Sequence, residues 1–181
     1  MPQPDGSAGI IAGMWFLAPR KVKYECAYPN GFLERARVPV GYGPYDPVLH
    51  VCAGRVRDYP NPSAIGMPFT LDLAPETEPD FLQDAREPWP AMYIPWRHIL
   101  ADPDYDDANA AKHTPPVEAR PLPATLLERA QEALIPGGRF GLLYGPSPVR
   151  YDKKKMRLLA EVGVKVGLNG DLRMFYVWEK M

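Results

Sequence analysis

Apolar side chains along the last third of the chain follow two rhythms. Between Pro123 and Leu134, the residues Leu126, Leu127, Ala130, Ala133 and Leu134 recur at helical spacing. Pro136-Gly137-Gly138 then stops the run, so a helix is predicted up to that turn. Arg139 to Tyr144 is a short apolar stretch bounded by glycines, the pattern of a buried strand. Asp152 is a good N-cap and Gly163 a good stop, which together predict a second helix between them. Val164, Val166 and Leu168 alternate with Lys165 and Gly167, and Asn169-Gly170 leads into the β-rich run Leu172 to Trp178. An Asn-Gly between two such runs predicts an antiparallel hairpin.

Upstream, Pro47 to Gly54 reads as a buried strand entering a glycine turn. Met67 to Leu73, Phe81 to Asp84, and Tyr93 to Asp102 supply three more strand patterns, each with an acid at or near its end. A short helix is predicted from Gly31 to Arg37. Strands alternating with crossovers imply an α/β domain with a mostly parallel sheet. Such sheets bind ligands beyond the carboxyl ends of their strands, where Gly54, Asp72, Asp84 and Asp102 all fall.

Composition changes this picture at one point. Twenty of the 23 prolines lie at or before Pro123. Proline cannot donate to a ladder or sit inside a helix, so the first two thirds should hold short strands joined by long loops. The other quantities match an average globular protein, with 46% hydrophobic and 24% charged residues among 181. They are read as one soluble, cytoplasmic domain spanning 1–181, with 1–27 as an N-terminal extension. The apolar run Gly9 to Ala18 is too short to span a bilayer, so no membrane association is expected. A net charge of −1 excludes a uniformly basic nucleic-acid coat. Two cysteines, Cys26 and Cys52, supply neither a disulfide framework nor a thiolate zinc site, and no metal is expected.

The strand ends carry the candidate chemistry. A glycine after the first parallel strand lets a ligand approach the backbone, and an acid ending the next strand can accept hydrogen bonds from ribose hydroxyls. Asp72, 18 residues beyond Gly54, has that place. The order resembles the class I S-adenosylmethionine-dependent methyltransferases. The resemblance runs from about Tyr28 onward, through His50-Val-Cys-Ala-Gly54, Leu71-Asp72-Leu73 and Gln83-Asp84-Ala85-Arg86. Ala101-Asp102-Pro103-Asp104-Tyr105 is similar to the Asp-Pro-Pro-Tyr motif of amino-methyltransferases. The chain departs from the family where Val56 replaces a second glycine, His50 an acid, and Asp104 a proline.

The resemblance implies a Rossmann-like fold with one antiparallel strand in the terminal hairpin, and S-adenosyl-L-methionine as cofactor. It implies cofactor contacts from His50, Cys52, Ala53, Gly54, Asp72, Leu73, Asp84, Ala85 and Arg86, with Asp84 toward the adenine amine. It implies catalysis at Asp102, Pro103, Asp104 and Tyr105 on an exocyclic amine of a nucleobase in DNA or RNA. Tyr105 would stack on the base, with Lys112 and His113 in reach of the substrate. A chain this short leaves no room for a separate target-recognition domain, so it would use its long loops, act in a partner complex or be relatively unspecific, and a partner protein or a homo-oligomer stands among the expected associations. Two other readings stand beside this one. A small-molecule acceptor suits the near-neutral charge and Asp104, and a catalytically degenerate binding protein suits Val56 and the proline-rich loop. As isolated residues, Asp72 and Asp102-Pro103 read as a solvated strand end and a turn, and His50 as a core histidine. The basic clusters Arg20 to Lys23 and Lys153 to Arg157 read first as solvated faces, and only secondarily as phosphate contacts.

Overall fold

Strand pairing gathers the apolar runs into one mixed sheet. The computed structural model describes residues 9–18, 28–90, 95–103, 120–146, 149–168 and 170–181. In chain order the elements are β1 (Ile11–Leu17), α1 (Phe32–Val40), β2 (Pro47–Val51), β3 (Met67–Asp72), β4 (Phe81–Leu82), β5 (Trp96–Ala101), α2 (Pro123–Ala133), β6 (Leu134–Tyr144), β7 (Met156–Val166) and β8 (Leu172–Lys180). The eight strands lie in the order β1-β7-β8-β6-β5-β2-β3-β4.

Strands β2 to β6 are mutually parallel and read 3-2-1-4-5 when counted from β2. That is the doubly wound order, with its reversal between β2 and β5. The terminal strand β8 inserts antiparallel between β6 and β7, as the hairpin pattern predicts.

Two apolar layers hold the sheet. On one face, α1 contributes Phe32, Leu33, Ala36 and Val40 against Val162, Val164, Phe175 and Val177. On the other, α2 contributes Leu126, Leu127 and Ala130 near Leu49, Ile99, Phe140 and Trp178. Pro123 opens α2 in the first turn, where its missing amide costs no hydrogen bond. Gly141 on β6 lets the layers close, because a Cβ there would meet Leu100 at 2.6 Å and both Phe175 and Val40 at 3.0 Å. Gly141→Ala is therefore expected to cost roughly 1–3 kcal/mol by overpacking, read by urea denaturation.

Helices are few among the described residues. The connection from β2 to β3 carries only the 3₁₀ turns Val56–Asp58 and Pro62–Ala64. Side chains anchor this proline-bearing loop where a helix would otherwise pack. The Tyr59 hydroxyl bonds Glu34 at 2.7 Å, Asn61 donates to Glu34 at 3.1 Å, and the Tyr42 hydroxyl donates to the Ala64 carbonyl at 2.9 Å.

Two expectations are corrected here. The span from Asp152 to Gly163 is not a helix; Met156–Val166 is β7, paired with β8 along its length. Ile11–Leu17, read as part of an extension, is a strand of the same sheet, parallel to β7. No helix among the described residues is long and apolar enough to cross a membrane.

Candidate active site

The carboxyl ends of β2, β3 and β5 converge beside the switch point. After β2 the chain turns sharply: Cys52 has φ 52° and Gly54 φ 48°, both in the left-handed region. A non-glycine residue rarely adopts that conformation, so Cys52 holds backbone strain where the turn must form. The turn aims the Gly54 amide at Asp72, which accepts it at 2.8 Å across two strands. The other oxygen of Asp72 accepts the Ala74 amide at 3.0 Å. A carboxylate offers about four acceptor positions, so roughly two remain for a ligand. Ala53 is buried and donates its amide to the Leu71 carbonyl, while Leu73 is half-buried beside Asp72. An open cleft of about 230 Å³ borders Gly54, with Arg55, Arg57, Asp58, Glu76 and Glu78 on its walls.

Asp84 lies beyond β4 and is engaged by its own neighbour. The Arg86 guanidinium bonds both carboxylate oxygens, at 3.0 Å through Nε and 2.6 Å through Nη2, and the Arg86 amide adds a bond at 2.8 Å. These bonds hold the Asp84 carboxyl below its ordinary pKa. Ala85 is buried, and its carbonyl accepts the Trp89 indole N–H at 2.9 Å.

Asp102 follows β5 and forms an ion pair with Arg173 of β8. The same guanidinium nitrogen donates to the Leu143 carbonyl of β6 at 3.1 Å, so one side chain ties β5, β6 and β8 together. The side chains of Asp102 and Arg173 are only 9% and 13% exposed. Pro103 is buried next in the chain. Asp104, Tyr105, Lys112 and His113 lie outside the described residues, as do Cys26 and the Arg20 to Lys23 cluster.

His50 is enclosed in the core beneath this site. Its Nε2 bonds the Ile65 carbonyl at 2.9 Å, and its Nδ1 meets the Tyr28 hydroxyl at 3.5 Å. A carbonyl only accepts, so Nε2 carries the proton and Nδ1 of the neutral ring accepts from Tyr28. Burial pushes the imidazole pKa down to about 4. Burial also raises the Tyr28 hydroxyl well above its ordinary value, and the nearby Asp102 charge adds to that shift.

The unfolded chain binds a proton at His50 below about 6.5 that the folded chain refuses until about 4. Stability is thus full above that window and falls as pH drops from 6.5 to about 4. The loss expected from this residue is about 3 kcal/mol. Urea denaturation across this pH range should show a shallower slope for His50→Gln than for the parent chain.

The sequence brings out Gly54, Asp72 and Asp102, and the fold sets them around one sheet edge. It gives no sign of Arg173, which lies in an ordinary strand pattern 71 residues from its partner. Val56 is fully buried in the 3₁₀ turn after Gly54. Among the described residues, no three His, Cys, Asp or Glu side chains gather as a metal would require.

No protein-family model and no curated protein matches this chain. Among solved structures, TrmN from Thermus thermophilus is similar over 85% of this chain at 18% identity, with a TM-score of 0.49. The match covers 49% of TrmN, so this chain spans about half the length of that protein. A dihydrofolate reductase from Enterococcus faecalis aligns over 94% of this chain and 96% of its own, at 10% identity and a TM-score of 0.30. Both scores fall below one half, and the fold is read from the strand order instead.

Proposed function

We propose that this protein is an S-adenosylmethionine-dependent methyltransferase acting on an exocyclic amine of a nucleobase in DNA or RNA. One observation carries the reading. Gly54, Asp72 and Asp102 end adjacent parallel strands around the reversal between β2 and β5, with the Asp72 carboxylate bonded to the Gly54 amide. Ligands of doubly wound sheets bind at this reversal, and the antiparallel β8 supports the same family.

The residues fit the cofactor at Asp72, whose remaining acceptor positions suit a pair of ribose hydroxyls, and at Gly54, where no Cβ blocks the backbone. Asp84, Ala85 and Arg86 would border the adenine, with the Asp84–Arg86 contacts yielding to it. When bound, the cofactor supplies an electrophilic methyl group on a sulfonium. The protein's part is orientation. Arg173 holds one oxygen of Asp102, which turns the other toward an acceptor amine. The Pro103 carbonyl would take the second amine hydrogen, favouring a tetrahedral nitrogen with its lone pair free. Asp104, Tyr105, Lys112 and His113 remain the proposed substrate contacts, through stacking and charge. Solvent exclusion and alignment suffice for such chemistry.

Calorimetry with S-adenosylmethionine tests the reading directly. Asp72→Ala is expected to lose roughly 1.5–3 kcal/mol of cofactor affinity, the worth of hydrogen bonds to a charged group. Equal affinity in parent and variant would sink this placement of the pocket. A small-molecule acceptor is the second reading, favoured by the net charge of −1. Binding of DNA or RNA that weakens steeply with salt would support the nucleobase over it.

A further inference from the structure

The outer edge of β1 is a strand edge that, among the described residues, is met only by a weak contact from Arg35. β1 stands at one end of the sheet, and among the described residues nothing pairs with its far side. Natural edges are blunted by lysine, proline, bulges or inward charges. Gly9 to Ala18 contains none of these residues, and no charge at all. The hydrogen-bonding groups that face outward can be assigned. The Leu17 carbonyl accepts the Gly167 amide at 2.9 Å, on the β7 side, and backbone direction alternates along a strand. Ile10, Ala12, Met14 and Phe16 therefore point their amides and carbonyls away from the sheet. The Phe16 carbonyl faces Arg35 of α1 at 3.5 Å, a weak contact that leaves its second lone pair free.

Side chains on this strand divide by face. Trp15 and Leu17 turn inward, with Trp15 against Phe32 and Phe175. Met14 and Phe16, on the opposite face, are 50% and 71% exposed.

We propose that β1 pairs antiparallel with β1 of a second copy of this chain, joining two sheets across a twofold axis at Met14. In that register Met14 opposes Met14 of the second copy, and Ala12 opposes Phe16. All are outward-facing residues, so each opposed pair exchanges two hydrogen bonds. Charge selects this occupant. Ala12 is in register with Glu161 and Phe16 with Lys165 on β7. The antiparallel pairing puts Glu161 of each copy in the same row and on the same face as Lys165 of the other. A parallel pairing would align like with like. Two β1 strands lie between them, so the attraction acts across roughly 14 Å of backbone spacing and is strongest at low salt.

Sedimentation from micromolar to hundreds of micromolar concentration tests the proposal. The parent chain should be a dimer that dissociates on dilution. Met14→Lys sets two like charges directly opposite each other and should leave only monomer. Because Met14 is half exposed, the variant's circular dichroism and thermal midpoint should match the parent's at concentrations where both are monomeric. At low salt, Glu161→Lys alone should weaken the dimer about threefold, and Glu161→Lys/Lys165→Glu should restore it. A parent chain that stays monomeric throughout overturns the proposal, whether or not another protein covers the edge. So does a dimer indifferent to Met14→Lys, or a charge swap that fails to restore association.

Discussion

Arg173→Leu is expected to destabilise the fold by roughly 3–5 kcal/mol, because it leaves the Asp102 carboxylate nearly buried without its counter-charge. For a chain of this size the thermal midpoint should drop on the order of 10 °C. The expected cost comes from desolvating a lone carboxylate, not from losing an attraction. Buried pairs replaced together by apolar groups of similar size are often neutral. Asp102→Leu/Arg173→Leu should therefore recover much of the loss seen in Arg173→Leu alone. Equal stability of the single and double variants, by urea denaturation, would mean that the pair is not energetically coupled. The same carboxylate bears on function. If Asp102 orients an acceptor amine, Asp102→Asn should abolish methyl transfer yet leave cofactor affinity within roughly tenfold.

Phe175→Ala is the second large effect expected, at roughly 3–5 kcal/mol. Phe175 is fully buried where β8 meets α1 and β1. Its ring lies 4.9 Å from Phe32 in an edge-on arrangement and 5.6 Å from Trp15. Removing it opens a cavity that backbone from three elements cannot collapse into, and it deletes two aromatic pairs. Phe175→Leu should recover much of the difference, because it refills most of the volume. A loss below 1 kcal/mol for the alanine variant, read by thermal or chemical denaturation, would mean that this junction carries little of the stability.

The parallel strands and their carboxyl-end residues were legible because each is a short apolar run punctuated by glycine, proline or acid. Helix α2 was equally plain, since Leu126, Leu127 and Ala130 mark one buried stripe. Strand β7 was not, and its bulge explains why. The register shifts between Leu158 and Ala160. Met156 and Leu158 pack on the α2 side, whereas Ala160, Val162 and Val164 pack on the α1 side. The extra residue turns the strand over, so a two-residue alternation breaks and Leu158, Leu159 and Val162 imitate a helical stripe. Asp152 and Gly163 then pass for caps. Strand β1 was missed for another reason: among the described residues it pairs with a strand 149 positions later, and no local pattern announces a partner. Arg173 belongs to the same class. A charge in a strand is ordinary until the fold brings an acid beneath it.

That long separation between β1 and β7 has a consequence during synthesis. The ribosome adds roughly 5–20 residues per second, and about 150 residues separate the end of β1 from the end of β7. An uncharged, apolar segment therefore waits on the order of ten to thirty seconds for the strand that will shield its inner side. Throughout that interval it is an adhesive stretch of the nascent chain, and a holding chaperone should bind it.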